Sequence, residues 1–495
     1  MSDIKTLVIG GGFGGIAAAI RCKALGHDVT LIDRLPELGG RAQVIESNGY
    51  KYDTGPTVIT APFLFKELFE LFNENIDDYI EFRPLEPWYR FYFHDSTTFD
   101  YSSSVEKTKK EISRFSKDDA NAYDELLEES EKIFNVGFTD LSDKPFLSFW
   151  SMIKQIPHLL KLKSYRSVSD MVSKHIKNPN IQSAFSIHPL LVGGNPFTTT
   201  SIYSLIHFLE RKWGVFFCMG GTGKLVKELK DLMIRNGINI ILNQDIVSVE
   251  HKNQIAFRAT TSNGTQYCFD NLVFNGDPPF FYKNLLQPKN IKLLNPIVPD
   301  NLLSYSMGLF VLFIGTKKRY NDIAHHTIWL TKRFKNLLND IFEKKILTKD
   351  FSLYIHRPTA TDNSFAPVDC DSFYVLCPVP NLKSNINWSS EGEKLKDNII
   401  TELEKTIMPD LKDNIDDISY MTPENFKNDY KSMFGAGFSI APKFYQSAWF
   451  RYHNQDSNIK NIYFSAAGSH PGAGIPGVLS SAKVVENILK RKNAA

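Results

Sequence analysis

The apolar positions of this chain change period several times, and each change marks an element. Thr6 to Ile9 form a short continuous apolar run of β type. After three glycines, an Ala- and Ile-rich segment predicts a helix to about Leu25, and Gly26 stops it. Val29 to Ile32 predict a second strand ending at Asp33, which completes a β-α-β unit. "PWYRFYFHDSTTFDYS" predicts a hairpin around an Asp-Ser turn. "SKDDANAYDELLEESEKIFNVGF" predicts a helix. "GGTG", Gly220 to Gly223, opens another helix, and "INIILNQDIVSVEH" and "NLVFNGDPP" predict strands. From about residue 281 to 450, strand-like "SMGLFVLFIG" and "DSFYVLCPVP" alternate with helical "EGEKLKDNIITELEKTI". The chain ends on "SAAGSHPGAGIPGVLSSAKVVENILK", a glycine- and proline-rich loop that leads into a helix.

Composition narrows the class. With 495 residues, 42% hydrophobic and 23% charged, the chain predicts two or three globular domains. A net charge of +2 argues against a nucleic-acid partner. The five cysteines form no C-x-x-C pair, which predicts reduced thiols in a cytoplasmic protein and neither disulfides nor a zinc site. Leu7 to Ile20 is glycine-rich and too short to span a bilayer, so it reads as neither a signal peptide nor a membrane span. Asp143 to Ile176 is different. It is basic, bears Trp150, carries no acid between Lys144 and Arg166, and is broken by Pro157. Such a segment suits a membrane interface; the competing expectation is a core-facing cap with a solvated basic side.

The first glycine loop carries chemistry. Gly10, Gly12 and Gly15, within the run Gly10, Gly11, Gly12, Phe13, Gly14, Gly15, match G-x-G-x-x-G. The first makes the tight turn, the second lets a pyrophosphate approach the backbone, and the third lets helix and strand pack closely. The helix N-terminus stabilises phosphate charge. Asp33, 18 residues after Gly15, can accept from a ribose hydroxyl and disfavours a 2′-phosphate. "GGTG" leaves Val226 where a third glycine would stand, so no second fingerprint forms. No Ser-His-Asp or metal-ligand pattern is evident. His325 and His326 are adjacent, would face opposite ways in a strand, and read as structural.

"GGR" at Gly39, Gly40 and Arg41 and "DTGPT" at Asp53 to Thr57 resemble the flavin amine oxidase and carotenoid desaturase superfamily. The resemblance implies FAD, with Arg41 beside the pyrophosphate, Gly40, Gly55, Pro56 and Thr57 along the cofactor, and Val247 meeting the adenine by its backbone. "GPTVIT", "LLVGGNPF", "SIYSLIHFLERKWGVFF", "MGGTG", "AHHTI", "YVLCPVP", "QSAWFR" and "HPGAGIPGV" are similar to the bacterial and fungal-type phytoene desaturases, in order from Leu7 to about Leu489.

That resemblance implies an α/β fold. A discontinuous Rossmann-type FAD-binding domain would comprise 1–80, 215–280 and 455–495. An α+β substrate domain would comprise 81–135, 180–214 and 281–454, and a helical membrane-facing cap 136–179. It implies desaturation of phytoene to lycopene through successive hydride transfers to flavin, by a peripheral enzyme on the cytoplasmic side of a membrane. Its partners would be phytoene and polyene intermediates, the membrane surface, and quinone or oxygen as electron acceptor. The C-terminal loop then takes a new meaning. Gly468, Pro476, Gly477 and Val478 would lie along the redox end of the flavin, where a helix N-terminus stabilises charge gained on reduction. Ala467, Gly468 and Ser469 offer only backbone and a hydroxyl where amine-oxidase relatives carry an acid. Ser151 and Lys154 occupy the places of an Asp and an Arg to which acid-base work is ascribed in relatives, and Ser151 cannot replace a carboxylate base. A related carotenoid desaturase or isomerase, and a non-redox prenyl-binding carrier on the same scaffold, are the alternatives.

Overall fold

The computed structural model describes residues 4–140, 142–145, 163–287 and 302–494. β1 (Lys5–Ile9), α1 (Phe13–Ala24) and β2 (Asp28–Ile32) form the expected β-α-β unit. β1 and β2 are parallel and in register from Lys5–Asp28 to Ile9–Ile32. Strands Asn271–Phe274, Ile462–Phe464 and Asn239–Ile241 extend them into a five-stranded parallel sheet, with β1 at its centre. Parallel strands are covered on both faces, which is why these short runs are mostly apolar towards their carboxyl ends. α1 is buried along most of its length beneath the C-terminal helix Ile475–Ala494. Its one buried cation, Arg21, is held by Glu486 at 2.6 Å and Glu67 at 2.8 Å.

A second, seven-stranded sheet has the order Ile415–Met421, Gly308–Thr316, Asp371–Val379, Leu353–His356, His326–Leu330, Tyr89–Phe93, Thr98–Tyr101. The last two strands are the expected hairpin. Gly308–Thr316 is buried at every position, because its two faces pack into different cores: Val311 and Phe313 into one, Phe310, Leu312 and Ile314 into the other.

The strand expected in "NLVFNGDPP" lies inside the parallel sheet, paired with β1 and with Ile462–Phe464. Two expectations change. Residues 281–287 stay with the cofactor-side structure, since Leu286–Gln287 pairs with Ile246–Lys252. The part of the cap that is described, 163–179, is not a free basic face. Arg166 and Lys174 both pair with Glu129 of the helix Lys117–Phe134, at 2.5 and 3.0 Å, and His175 bonds the same carboxylate at 2.7 Å. Met171 and Val172 are buried beneath. Residues 146–162, which hold most of the basic apolar segment and both Ser151 and Lys154, lie outside the described residues.

Candidate functional site

One continuous cavity of about 800 Å³ runs from the carboxyl ends of the parallel strands into the space beneath the seven-stranded sheet. Its two arms differ in chemistry.

The first arm is made largely of backbone. Gly10, Gly11, Gly12, Phe13 and Gly14 line it, with Asp33, Gly40, Arg41, Gly55, Pro56 and Thr57. Gly10 has φ +99°, a conformation that glycine takes without strain. Gly15 does not reach the cavity. A Cβ there would stand 1.9 Å from the Gly10 carbonyl oxygen, so its missing side chain lets α1 lie close on the turn. Asp33 is engaged locally: Gly11 N donates to it at 2.5 Å and Leu35 N at 2.8 Å. Burial pushes its pKa up, and these amide donors oppose the rise. Burial likewise pulls the Arg41 guanidinium down, against the pull of the Asp277 carboxylate.

Gly468, Pro476, Gly477 and Val478 line the same arm, at the start of the helix Ile475–Ala494. The hydroxyl of Ser469 turns into the core, where it accepts from Ala466 N at 3.0 Å and meets Ser481 Oγ at 3.1 Å. Val247 is not on the cavity wall. Gln244, Asp245 and Ile246 form the wall there, and Val247, next along the strand, points outward at 45% exposure. The strand's two-residue period puts successive side chains on opposite faces. Asn275 and Asp277, just past the strand Asn271–Phe274, also line the arm and were not singled out by motif. Their signal was position alone, at the carboxyl end of a central parallel strand.

Two observations show that this arm fits FAD. α1 has no side-chain cap and no acid in its first turn, and the C-terminal helix likewise has no acid there. Both N-termini open onto the cavity, as sites for a phosphate and for a ring that gains negative charge. The helix opened by "GGTG", Gly221–Arg235, supplies the contrast. Its N-terminus is closed by Asp53, whose Oδ1 accepts from Thr222 N at 3.0 Å and Thr222 Oγ1 at 2.8 Å. The second glycine loop therefore binds the chain's own carboxylate.

The second arm is apolar. Leu190, Val192, Leu309, Ile328, Leu330 and Phe334 are among its walls. One acid stands among them, Glu210, on the helix Leu205–Trp213. Where the arms meet, Tyr354 OH and Thr57 Oγ1 lie 2.6 Å apart, and the phenol also contacts His326 Nδ1 at 2.8 Å. His325 and His326 do not face opposite ways. The strand begins at His326, so His325 escapes the alternation, and both rings join His356 in a buried cluster. One ring nitrogen from each of the three lies within 4.8 Å of the others. Burial pulls the His326 pKa down to about 3 and the other two well below the ordinary value, so all three are neutral at physiological pH.

Residues 13–485 match the model for flavin containing amine oxidoreductases. The chain is 40% identical over 487 residues to a lycopene-forming phytoene desaturase of Pantoea ananas, covering 98% of each. It is 41% identical to the lycopene-forming enzyme of Pseudescherichia vulneris, over 98% of this chain and 99% of that one. Identity to a neurosporene-forming phytoene desaturase of Rhodobacter capsulatus is 35%, over 98% and 94%. Among solved structures, an oxidoreductase from Methanosarcina mazei superposes with a TM-score of 0.64 at 14% identity, over 98% of this chain and 100% of that one. Wild-type putrescine oxidase bound to putrescine also gives 0.64, at 11% identity over 99% of each.

Proposed function

Since this chain belongs to the flavin containing amine oxidoreductases, and within them to the carotenoid desaturases, we propose that it converts phytoene to lycopene by successive FAD-dependent desaturations. The observation that carries this reading is the join between the two arms: a glycine-built cofactor cleft opens into an apolar space. A hydrocarbon offers no charge and no hydrogen bond, so a site for it must work by shape and by exclusion of water. Bound FAD supplies the two-electron oxidation.

The chain's own residues hold and orient. The α1 N-terminus and Arg41 take the pyrophosphate charge, and the Ile475–Ala494 N-terminus faces the redox end. Leu309, Ile328 and Leu330 keep the polyene extended beside it. Among the described residues no helix is long and apolar enough to cross a membrane. We place the enzyme as a peripheral protein on the cytoplasmic side of a membrane, where its substrate dissolves, with quinone or oxygen taking the electrons. A prenyl-binding carrier would need neither open helix N-terminus.

The test is pigment analysis in a host that makes phytoene and nothing further along. Lycopene is the expected product. Neurosporene would move the assignment to the fewer-step relatives, and absence of colour with FAD bound would refute desaturation. Vesicle flotation of the purified protein checks the membrane placement, which fails if the protein stays with the aqueous fraction.

A further inference from the structure

Removing two hydrogens from a hydrocarbon leaves one of them to account for. One departs with its bonding pair, which the bound flavin accepts. The neighbouring C–H bond must then leave its pair behind as the new double bond and release a proton. That proton needs an acceptor inside a space built to exclude water. Among the described residues five acids line the cavity: Asp33, Glu210, Asp245, Asp277 and Asp429. Four belong to the cofactor arm. Asp33 and Asp245 flank the end of β2, and Asp277 and Asp429 lie near Arg41 and Arg34. Among the described residues Glu210 is the one acid of the apolar arm.

We propose that Glu210 is the proton acceptor of the desaturation, a role that rests on the reading of the apolar arm as the polyene site. The carboxylate is fully buried, and its two oxygens have one partner each. Tyr89 OH donates to Oε1 at 2.7 Å, and His188 Nε2 faces Oε2 at 3.1 Å. His188 Nδ1 meets the Phe185 carbonyl at 3.3 Å, so the ring that faces Oε2 is itself held in place. Oε1, meanwhile, is steadied by the phenol.

The charge has a second effect. A carboxylate beside a chain that develops positive charge stabilises that charge before the proton moves. The step balances. The C–H pair becomes the C=C bond, the proton becomes the O–H of Glu210, and that proton is released when product exchange admits solvent.

The simpler role, a polar anchor pinning the helix Leu205–Trp213 to Tyr89 and His188, is separable. Glu210→Gln keeps size and hydrogen-bonding capacity and removes only the charge and the basicity. The probes are a long-chain isoprenoid tertiary amine, charged like the polyene cation, and its uncharged hydrocarbon counterpart. Their binding is read by tryptophan fluorescence, alongside anaerobic flavin bleaching by phytoene in a single turnover.

Glu210→Gln is expected to keep its flavin and its hydrocarbon affinity, to lose at least about tenfold of its preference for the amine, and to bleach at least about a hundredfold more slowly. Tyr89→Phe, which leaves the carboxylate in place, is expected to bleach less than about tenfold more slowly. If Glu210→Gln does not fold, Glu210→Asp reads the same step. It retracts the charge by one methylene, and bleaching at least about tenfold slower with the amine preference kept is expected. Bleaching at the wild-type rate in either Glu210 variant overturns the proposal, as does a loss of amine and hydrocarbon binding in parallel. If wild-type protein binds neither probe, the polyene site itself is refuted. If it binds and bleaches normally while the Glu210 variants match it, only the role of Glu210 falls.

Discussion

The two arms of the cavity solve opposite problems. The cofactor arm must present amide hydrogens and helix ends to a charged ligand, so it is made where side chains are missing. The polyene arm must present nothing polar except at the reacting bond, so it is made of branched and aromatic side chains from several elements. In or directly behind the first, an added methyl group can meet backbone: at Gly15 the Gly10 carbonyl, at Gly55 the Arg41 carbonyl, each 1.9 Å from the new Cβ. In the second, a change of shape meets other side chains, which can turn. The first arm should therefore be intolerant of small changes and the second forgiving of them.

The largest expected effect is at Gly15→Ala. Backbone cannot yield at 1.9 Å, so α1 must shift off the turn and its N-terminus leaves the phosphate site. A cost above about 3 kcal/mol and purification without flavin absorbance are expected. A Gly15→Ala protein that retains full flavin absorbance and its melting temperature would end the distinction between the arms.

This contrast also explains what could be read from sequence. The glycine loop, Asp33, "GGR" and the C-terminal loop are contiguous stretches whose backbone demands are visible residue by residue, and each lines the cofactor arm. The polyene arm is assembled from residues between 187 and 210, 307 and 338, 352 and 378, and 437 and 450, so no local pattern announces it. Its apolar residues share the periodicity of ordinary core. Glu210 was hidden for the same reason: in "FLERKW" it reads as a helix-surface charge beside Arg211 and Lys212. The His325–His326 pair shows a third limit. A strand's alternation is known only once its ends are known, and one residue of offset moves a side chain to the other face.

The next effect in size concerns the glycine loop that binds no cofactor. Asp53 is buried against Thr222, and its pKa rises from 3.8 to about 6, chiefly through burial. The folded state therefore holds this proton more tightly than the unfolded chain. The stability it contributes is present below pH 3.8, is lost as pH rises through about 6, and is constant above that. The loss comes to about 3 kcal/mol. Subtracting the denaturant stability of Asp53→Asn from that of wild type, at about pH 4 and about pH 7, isolates the slope, because the variant cannot titrate. A difference that stays flat across that interval would mean that this helix N-terminus neutralises Asp53 as fully as water does. The comparison would then extend to all three glycine loops, each supporting a negative charge without penalty.

The smallest expected effect tests the forgiving arm. Leu330 is buried on the strand His326–Leu330 and faces the cavity. Leu330→Met keeps the volume nearly constant and adds a flexible thioether, which can follow the contour of a polyene as readily as leucine does. Such exchanges cost less than about 1.5 kcal/mol. The melting temperature should move by a few degrees at most, and kcat/KM for phytoene should stay within about threefold. The reason lies in how the arm binds: its contacts are many, weak and undirected, so the loss of one fitted shape is shared among the rest. A tenfold fall in kcat/KM with an unchanged melting temperature would contradict this. It would mean that the wall beside Leu330 reads the hydrocarbon's shape as strictly as the glycines read the cofactor, and that the number of desaturation steps is set by individual side chains in this arm.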